Sequence, residues 1–325
     1  MKAILPPSDN ADLRIGVYDT PTPKPHEVLV KVAATAVNRA DILQRQGKYP
    51  PPPGASPILG LEVSGEVAEV GEKVARWAVG DAVFGLLPGG GYAEYAVMHE
   101  AMAMPVPENV SPTEAAAIPE VFMTAFQALR WLGKLQPGER VLIHAGASGV
   151  GTAAIQLARA MQAGDIIVTA SAAKHQVCYD LGAHHAIDYK TQDFQEEIEK
   201  ITDGEGVDVI VDFIAAPYFE RNIQVLRTDG RMVLLALLGG AHLDSFNLGN
   251  LLKKRLQILA STLRSRPLEY QIRLTQAFSD FALPLFADGS LRPVIDRVFD
   301  WQEASQAHQR MEANENTGKL VLVVQ

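Results

Sequence analysis

A single cysteine, Cys178, stands in 325 residues. One thiol makes no intramolecular disulfide and no multi-cysteine zinc site, and such usage fits reduced, intracellular surroundings. Basic residues are also in deficit, with 29 Lys and Arg against 38 Asp and Glu and a net charge of −9. That balance disfavours nucleic acid or anionic lipid as the main partner; it does not decide whether a local basic patch gives a secondary RNA-binding role. Long apolar runs are missing as well. The longest, MVLLALL at 232–238, is far below the roughly 18 to 20 residues of a membrane span. The opening MKAILPPSDN has no signal-peptide core. The expectation is a cytoplasmic protein with no membrane partner. No internal repeat or low-complexity linker interrupts the chain, and PPPP at 50–53 reads as a stiff local loop.

What is present suits a soluble globular chain of two domains: 47% hydrophobic residues, 21% charged, and a length beyond one small core. The pattern changes near residue 120. Before it, EVLVKVAATAV, LEVSGEVAEVG, GDAVFGLL and YAEYAVM read as strands of an antiparallel domain punctuated by Pro and Gly. A short helix is expected over Ala40–Gln46, and Ser111 with Glu114 at capping-box spacing starts another. After it, strand and helix alternate. EVFMTAFQALRWL is a helix, RVLIHA a strand, VGTAAIQLARAM a helix, DIIVTA a strand, AKHQVCYDLG a helix and HAID a short strand. Asp193 and Glu196, again at capping-box spacing, start a helix, and VDVIVDF, RMVLLAL and LQILAST are further strands, with a helix through Asn222 and Leu226 after the first of them. This alternation predicts an α/β fold with a doubly wound parallel sheet. From Arg264 a long helix near Leu268–Ala287 is followed by a mixed tail ending in the strand KLVLVV, expected to return to the first domain.

HAGASGVG at 144–151 sits between a predicted strand and a predicted helix. Gly146 and Gly151 keep the outer glycines of G-x-G-x-x-G, while Ser148 replaces the middle one. Gly146 is expected to make the tight turn and Gly151 to let helix and sheet approach. The backbone N–H groups of Gly149, Val150 and Gly151 then open a helix toward a pyrophosphate, and the Ser148 hydroxyl can donate to phosphate. The second strand ends at Ala170-Ser171 without the carboxylate that NAD's ribose wants; Asp165 lies at its wrong end, and Lys174 and His175 follow. A hydroxyl and a cation there favour NADPH. Other constellations compete poorly. His184 and His185 are adjacent and would face opposite sides of a strand, Asp208 and Asp212 look like ordinary strand-end acids, and GASGVG is not the G-x-S-x-G of a hydrolase.

Together, GLEVSGEV, VGDAV, the PE-x-x-x-TA motif at 119–125, GERVLIHAGASGVG and NENTGKLVL resemble the medium-chain dehydrogenase/reductases over nearly the whole chain. NRADILQRQGKYPPPPGA and HAGASGVGTAAIQLAR are most similar to the zinc-free quinone oxidoreductases, in particular the tumour-suppressor-inducible subgroup. The resemblance implies a GroES-like antiparallel domain over 1–121 and 264–325 and a Rossmann domain over 122–263. Zinc members carry G-H-E where this chain has Gly60-Leu61-Glu62, so no metal is expected, and Glu62 reads as a carboxylate paired in the core. It also implies cofactor positions: Asn38 and Thr124 near the nicotinamide, Ser148, Gly149 and Val150 at the pyrophosphate, and Ser171, Lys174 and Tyr189 at the 2′-phosphate. Leu238, Leu263 and Lys319 would close over the cofactor. Core packing is the alternative for Tyr189 and Leu263, and a surface lysine for Lys319.

The activity expected is direct hydride transfer from NADPH to a quinone, without metal or flavin; an enone or alkenal reductase and a non-catalytic NADPH-binding protein are the alternatives. Tyr49, ahead of the proline run, is the first candidate to donate to the developing oxyanion or to stack on a flat acceptor, and the Asn38 amide is the second. The two last strands of the central sheet leave an apolar edge, and relatives pair there, so a homodimer or homotetramer is expected.

Overall fold

In the computed structural model, residues 1–5 and 13–324 are described; residues 6–12, within the N-terminal stretch, and residue 325 lie outside. The chain divides into two compact units, Met1–Met123 with Arg264–Gln325, and Thr124–Leu263.

The first unit begins with β1 (Lys2–Leu5) and β2 (Arg14–Val17), a small antiparallel pair. Then come β3 (Glu27–Val37), α1 (Arg39–Arg45), β4 (Glu62–Val70), β5 (Ala82–Leu86), β6 (Tyr95–His99), β7 (Ala103–Pro105) and α2 (Pro112–Ala115). The capping box expected at Ser111 forms: Ser111 N donates to the Glu114 carboxylate and Glu114 N to Ser111 Oγ. α3 (Pro119–Phe126) carries the chain over the boundary. The single helix expected over 120–132 widens at Gln127–Leu132 into a π-helical segment, in which Gly133 N donates to Ala128 O at 2.7 Å.

The second unit alternates strand and helix: β8 (Val141–Ile143), α4 (Gly149–Ala160), β9 (Ile166–Ala170), α5 (His175–Leu181), β10 (His185–Asp188), α6 (Phe194–Ile201), β11 (Val207–Asp212), α7 (Ala216–Val225), β12 (Leu226–Leu234), α8 (Gly249–Lys254) and β13 (Gln257–Ala260). Leu226, expected in the helix through Asn222, instead opens β12, where it pairs with Val207 of β11. All neighbouring strands pair in parallel, in the order β10-β9-β8-β11-β12-β13. The order reverses between β8 and β11, so the switch point of a doubly wound sheet lies at their carboxyl ends. β8 and β9 are buried at every residue, as parallel strands covered on both faces are, and Leu142, Ile167, Ile210 and Met232 are sealed in the core. Asp193 caps α6 by accepting from Gln195 N, without the expected reciprocal bond from Glu196.

The chain then returns to the first unit through α9 (Leu268–Ala287), β14 (Ile295–Asp300), α10 (Ala304–Glu312) and β15 (Lys319–Val323). β15, the predicted KLVLVV strand, pairs antiparallel with β3, placing Leu320 beside Val37. The seven-stranded sheet runs β14-β15-β3-β4-β5-β7, with β6 also on β3. Its core gathers Ile4, Ile42, Leu59, Tyr92, Trp301 and Leu322. Among the described residues no helix is long and apolar enough to cross a membrane.

Candidate functional site

The turn after β8 lies at the switch point. The left-handed residue in it is Ala145, at φ 50°, not Gly146. Gly146 is required for another reason: its N–H bonds Thr169 O at 2.9 Å, and a Cβ there would lie 2.6 Å from Val168 Cβ. Gly151 is just as constrained, since a Cβ would sit 2.3 Å from Ala145 O. The two outer glycines therefore let α4 start close against the ends of β8 and β9. Ser148 is the N-cap of α4, and its Oγ accepts from Gly151 N at 3.0 Å. Gly151 N is thus satisfied inside the protein rather than aimed at a ligand. The Ser148 O–H remains a donor, beside the first-turn N–H groups of Gly149 and Val150 at the positive end of the helix dipole.

A polar network stands behind this turn. His144 is fully buried, with Nδ1 3.0 Å from Thr169 Oγ1 and Nε2 2.8 Å from Asn222 Oδ1. Asn222 Nδ2 donates to Asp212, which also accepts from Ile214 N at 2.7 Å. Burial pushes His144 down to about 4, so the ring is neutral, and its edges pack on Phe194 and Tyr218. Burial likewise pushes Asp212 up to about 6. Asp212 is therefore more than an ordinary strand-end acid: it fixes the turn into α7 and, through Asn222 and His144, ties the ends of β8, β9 and β11 together.

At the end of β9, Ser171 is extended and opens a 3-10 turn over Ala172–Lys174 without a side-chain cap bond. An acid absent from β9 is found next door: Asp188, at the end of β10, is in register with Ala170. The Thr191 hydroxyl holds its carboxyl below the usual range, with help from Lys190 N and His175. The region expected to take a 2′-substituent thus mixes Ser171 and Lys174 with an anion. Tyr189 is 48% exposed, so core packing does not account for it, and Leu238 is 54% exposed. Leu263 is buried.

The first unit holds a second polar centre, made of side chains. Lys319, at the start of β15, is 2% exposed and is not a surface lysine. Its ammonium donates to Glu62 Oε1 at 2.8 Å, Asn38 Oδ1 at 2.6 Å and Val37 O at 3.0 Å. All three protons are committed, so the ammonium closes this cluster and reaches nothing else. Asn38 is committed too: Nδ2 donates to Glu62 Oε1 at 2.8 Å and to Ala36 O at 3.3 Å. With both amide protons engaged, Asn38 is not poised as an oxyanion donor; it orients the carboxylate and ammonium on either side of it. Glu62 is fully buried and accepts from Glu120 N at 2.8 Å through Oε2. Asp41 accepts from Asn38 N and Gly60 N, and burial pushes it up to about 6. The paired core carboxylate expected at Glu62 is what the fold builds.

Two family descriptions match the chain: "Alcohol dehydrogenase GroES-like domain" over residues 24–108 and "Zinc-binding dehydrogenase" over 149–280. The synaptic vesicle membrane protein VAT-1 homolog of Rattus norvegicus is 32% identical over 316 residues, covering 93% of this chain and 78% of that protein. The Escherichia coli quinone oxidoreductase solved with NADPH superposes with a TM-score of 0.86 at 29% identity, over 96% of this chain and 95% of that one. The CurK enoyl reductase does so with 0.87 at 31% identity, over 100% and 98%.

The chain belongs to the medium-chain dehydrogenase/reductase superfamily.

Within that superfamily it is an oxidoreductase of the quinone-oxidoreductase-like kind, and the cradle around Ser148 fits a nicotinamide dinucleotide. The residues around Glu62 do not fit the zinc ion that one family description names. Leu61 offers no donor atom, the Glu62 carboxylate is already neutralised by Lys319, and no three His, Cys, Asp or Glu among the described residues come together as metal ligands. Sequence reasoning missed His144, Asp41 and Glu120. The signals were there: a histidine ending an apolar strand, an acid inside a short helix beside Asn38, and an acid at the first turn of α3.

Proposed function

We propose that this chain is an NADPH-dependent quinone reductase that passes hydride directly to its acceptor without metal or flavin. The observation that carries the reading is the Lys319 ammonium against Glu62, with Leu61 beside them. A cluster so neutralised offers no Lewis acid to stabilise an alkoxide. An acceptor that spreads the arriving charge through its own conjugation, as quinones and enones do, needs none. Bound NADPH supplies the hydride. Ser148, Gly149 and Val150 hold its pyrophosphate, Ser171, Lys174 and Tyr189 its 2′-phosphate, and Thr124, Leu238 and Leu263 flank the rest. Tyr49 donates to the developing oxyanion. Asn38 and Lys319 act as positioning residues. The cytoplasm, suited to a lone buried Cys178, and a dimer formed through the edge strand β13 belong to the same reading.

The likeness to an enoyl reductase favours a second reading, reduction of an enone or alkenal double bond. NADPH oxidation followed at 340 nm with 1,2-quinones, 1,4-quinones and α,β-unsaturated ketones separates the two. Turnover of quinones with NADPH well above NADH is expected. Equal rates with NADH overturn the roles of Ser171 and Lys174. Tight NADPH binding with no oxidation by any acceptor leaves a binding protein instead of an enzyme. Full activity in Tyr49→Phe removes the donor role of Tyr49.

A further inference from the structure

Arg264, Tyr49 and Glu120 come from three distant segments of the first unit. The Arg264 guanidinium lies over the Tyr49 ring, 5.5 Å from its centre. Nε and Nη2 of Arg264 both donate to Pro88 O, at 2.8 and 2.6 Å, which anchors the group. Nη1 is different: it is buried and has no hydrogen-bond partner. A cationic N–H shut away from water without an acceptor is costly, so the arrangement is incomplete until an oxygen meets it.

Glu120 bears on both groups through its charge, raising the Tyr49 phenol and the Arg264 guanidinium alike. Its backbone N–H is fixed to Glu62 Oε2 at 2.8 Å. Its carboxyl is pushed up to about 8, by burial first and then by Glu62 and Asp41, against the opposing pull of Lys319 and Arg264. It therefore keeps its proton at neutral pH, as a donor rather than an anion. The Tyr49 phenol is raised by its own burial and by Glu120, and lowered by Arg264. The phenol and the unsatisfied guanidinium N–H, whose group lies over the phenol's ring, are both donors, and so is the protonated Glu120 carboxyl.

We propose that Arg264 Nη1 and the Tyr49 hydroxyl bind the carbonyl oxygen of the acceptor, and that the Glu120 carboxylic acid supplies the proton that oxygen takes up. The ligand class is a conjugated carbonyl compound, and the proton role rests on the reductase reading above. A bound NADPH would supply the hydride that makes the new bond to the acceptor, and the conjugated π electrons would then move onto the carbonyl oxygen held by Arg264 and Tyr49. There they form an O–H bond with the Glu120 proton as the carboxyl O–H breaks. The acceptor would thus take two electrons from the cofactor, which would leave oxidised, and Glu120 is reprotonated from solvent. Arg264 stays charged throughout and offsets the negative charge arriving on the oxygen.

The test separates binding from chemistry. With no NADPH present, 1,4-naphthoquinone is titrated into the wild type, Arg264→Gln and Arg264→Lys, and Kd is read from quenching of protein fluorescence. At least a tenfold rise in Kd is expected for Arg264→Gln, with partial rescue by Arg264→Lys, and circular dichroism melts confirm that each variant is folded. An unchanged Kd in a folded Arg264→Gln protein overturns the binding role. In turnover, kcat of the wild type is expected to fall as pH rises through about 8, whereas Glu120→Gln is slower and flat over that range with Kd unchanged. The same fall in Glu120→Gln overturns the proton role. Naphthoquinone binding that depends on Arg264, without oxidation of NADPH by any quinone or enone, overturns the reductase reading and the proton role but leaves the carbonyl site standing.

Discussion

At the glycine turn of the second unit the polar groups belong largely to the backbone; the polar centre of the first unit is built of side chains. Around Ser148 a helix start, two glycines without room for a Cβ and one hydroxyl make the cradle. It is assembled from eight consecutive residues, 144–151. Around Glu62 the parts arrive from positions 38, 41, 62, 120 and 319, and each satisfies another. A dinucleotide is much the same molecule wherever it binds, so a short local motif suffices to hold it. A reaction environment needs charges set against one another in low dielectric, and only distant chain segments brought together deliver that. The difference also predicts how each centre fails: the first through unpaired charge, the second through lost cap geometry.

The largest effect is expected at the buried ion pair. Lys319→Met strands Glu62 in the core, and breaking such a pair costs about 3–5 kcal/mol. Urea unfolding should show this loss, and Lys319→Met with Glu62→Gln should recover part of it. If single and double variants are equally unstable, unpaired charge is not what breaks the first centre.

Next comes acid. His144 is neutral and buried, and its folded value of about 4 lies below the ordinary 6.5. The stability it contributes is therefore complete above 6.5 and is lost as pH falls through about 4, amounting to roughly 3 kcal/mol. Asp212, raised to about 6, works in the opposite direction, so the quantity to read is the difference between proteins. His144→Gln should be less stable than the wild type at pH 7.5, and its unfolding free energy should decline less between pH 6.5 and 4. Parallel pH profiles for the two would remove His144 from the acid response of the second unit.

The smallest effect sharpens the picture of the cradle. Ser148→Ala removes the N-cap of α4, worth about 1 kcal/mol of stability, and a phosphate donor, worth about tenfold in NADPH affinity. Calorimetric titration checks the second figure. Loss of stability with unchanged Kd would confine Ser148 to capping and leave the pyrophosphate to Gly149 and Val150.

Much of the fold was legible beforehand. β3 and α9 match the ranges read from the pattern, because an eleven-residue apolar alternation and a long 3.6-periodic run each admit one conformation. The weaker elements were not: α8, β14 and α10 lie in stretches whose local pattern is mixed and whose place is set by packing. The turn was located correctly but explained imperfectly. Gly146 serves close approach to Val168, and the positive φ falls on Ala145, which nothing in the residue type signals. Lys319 was singled out, yet its burial depends on β15 lying against β3, a pairing between residues nearly the whole chain apart. Asp188 escaped for a similar reason. Register, which no single strand carries, places that acid at the end of the neighbouring strand, beside Ala170.

The sequence by itself determined the class of molecule: alternating strands and helices around a glycine turn, a leucine where a zinc ligand would stand, and a tail returning as a strand. These features are local, since periodicity, turn chemistry and side-chain donor type are properties of short segments. The tertiary structure alone decided which charges meet. Only folding brings Lys319 to Glu62 and Arg264 over Tyr49. The reason is physical: burial and distance set electrostatic energies and proton affinities, and neither is a property of a residue until its distant neighbours are in place.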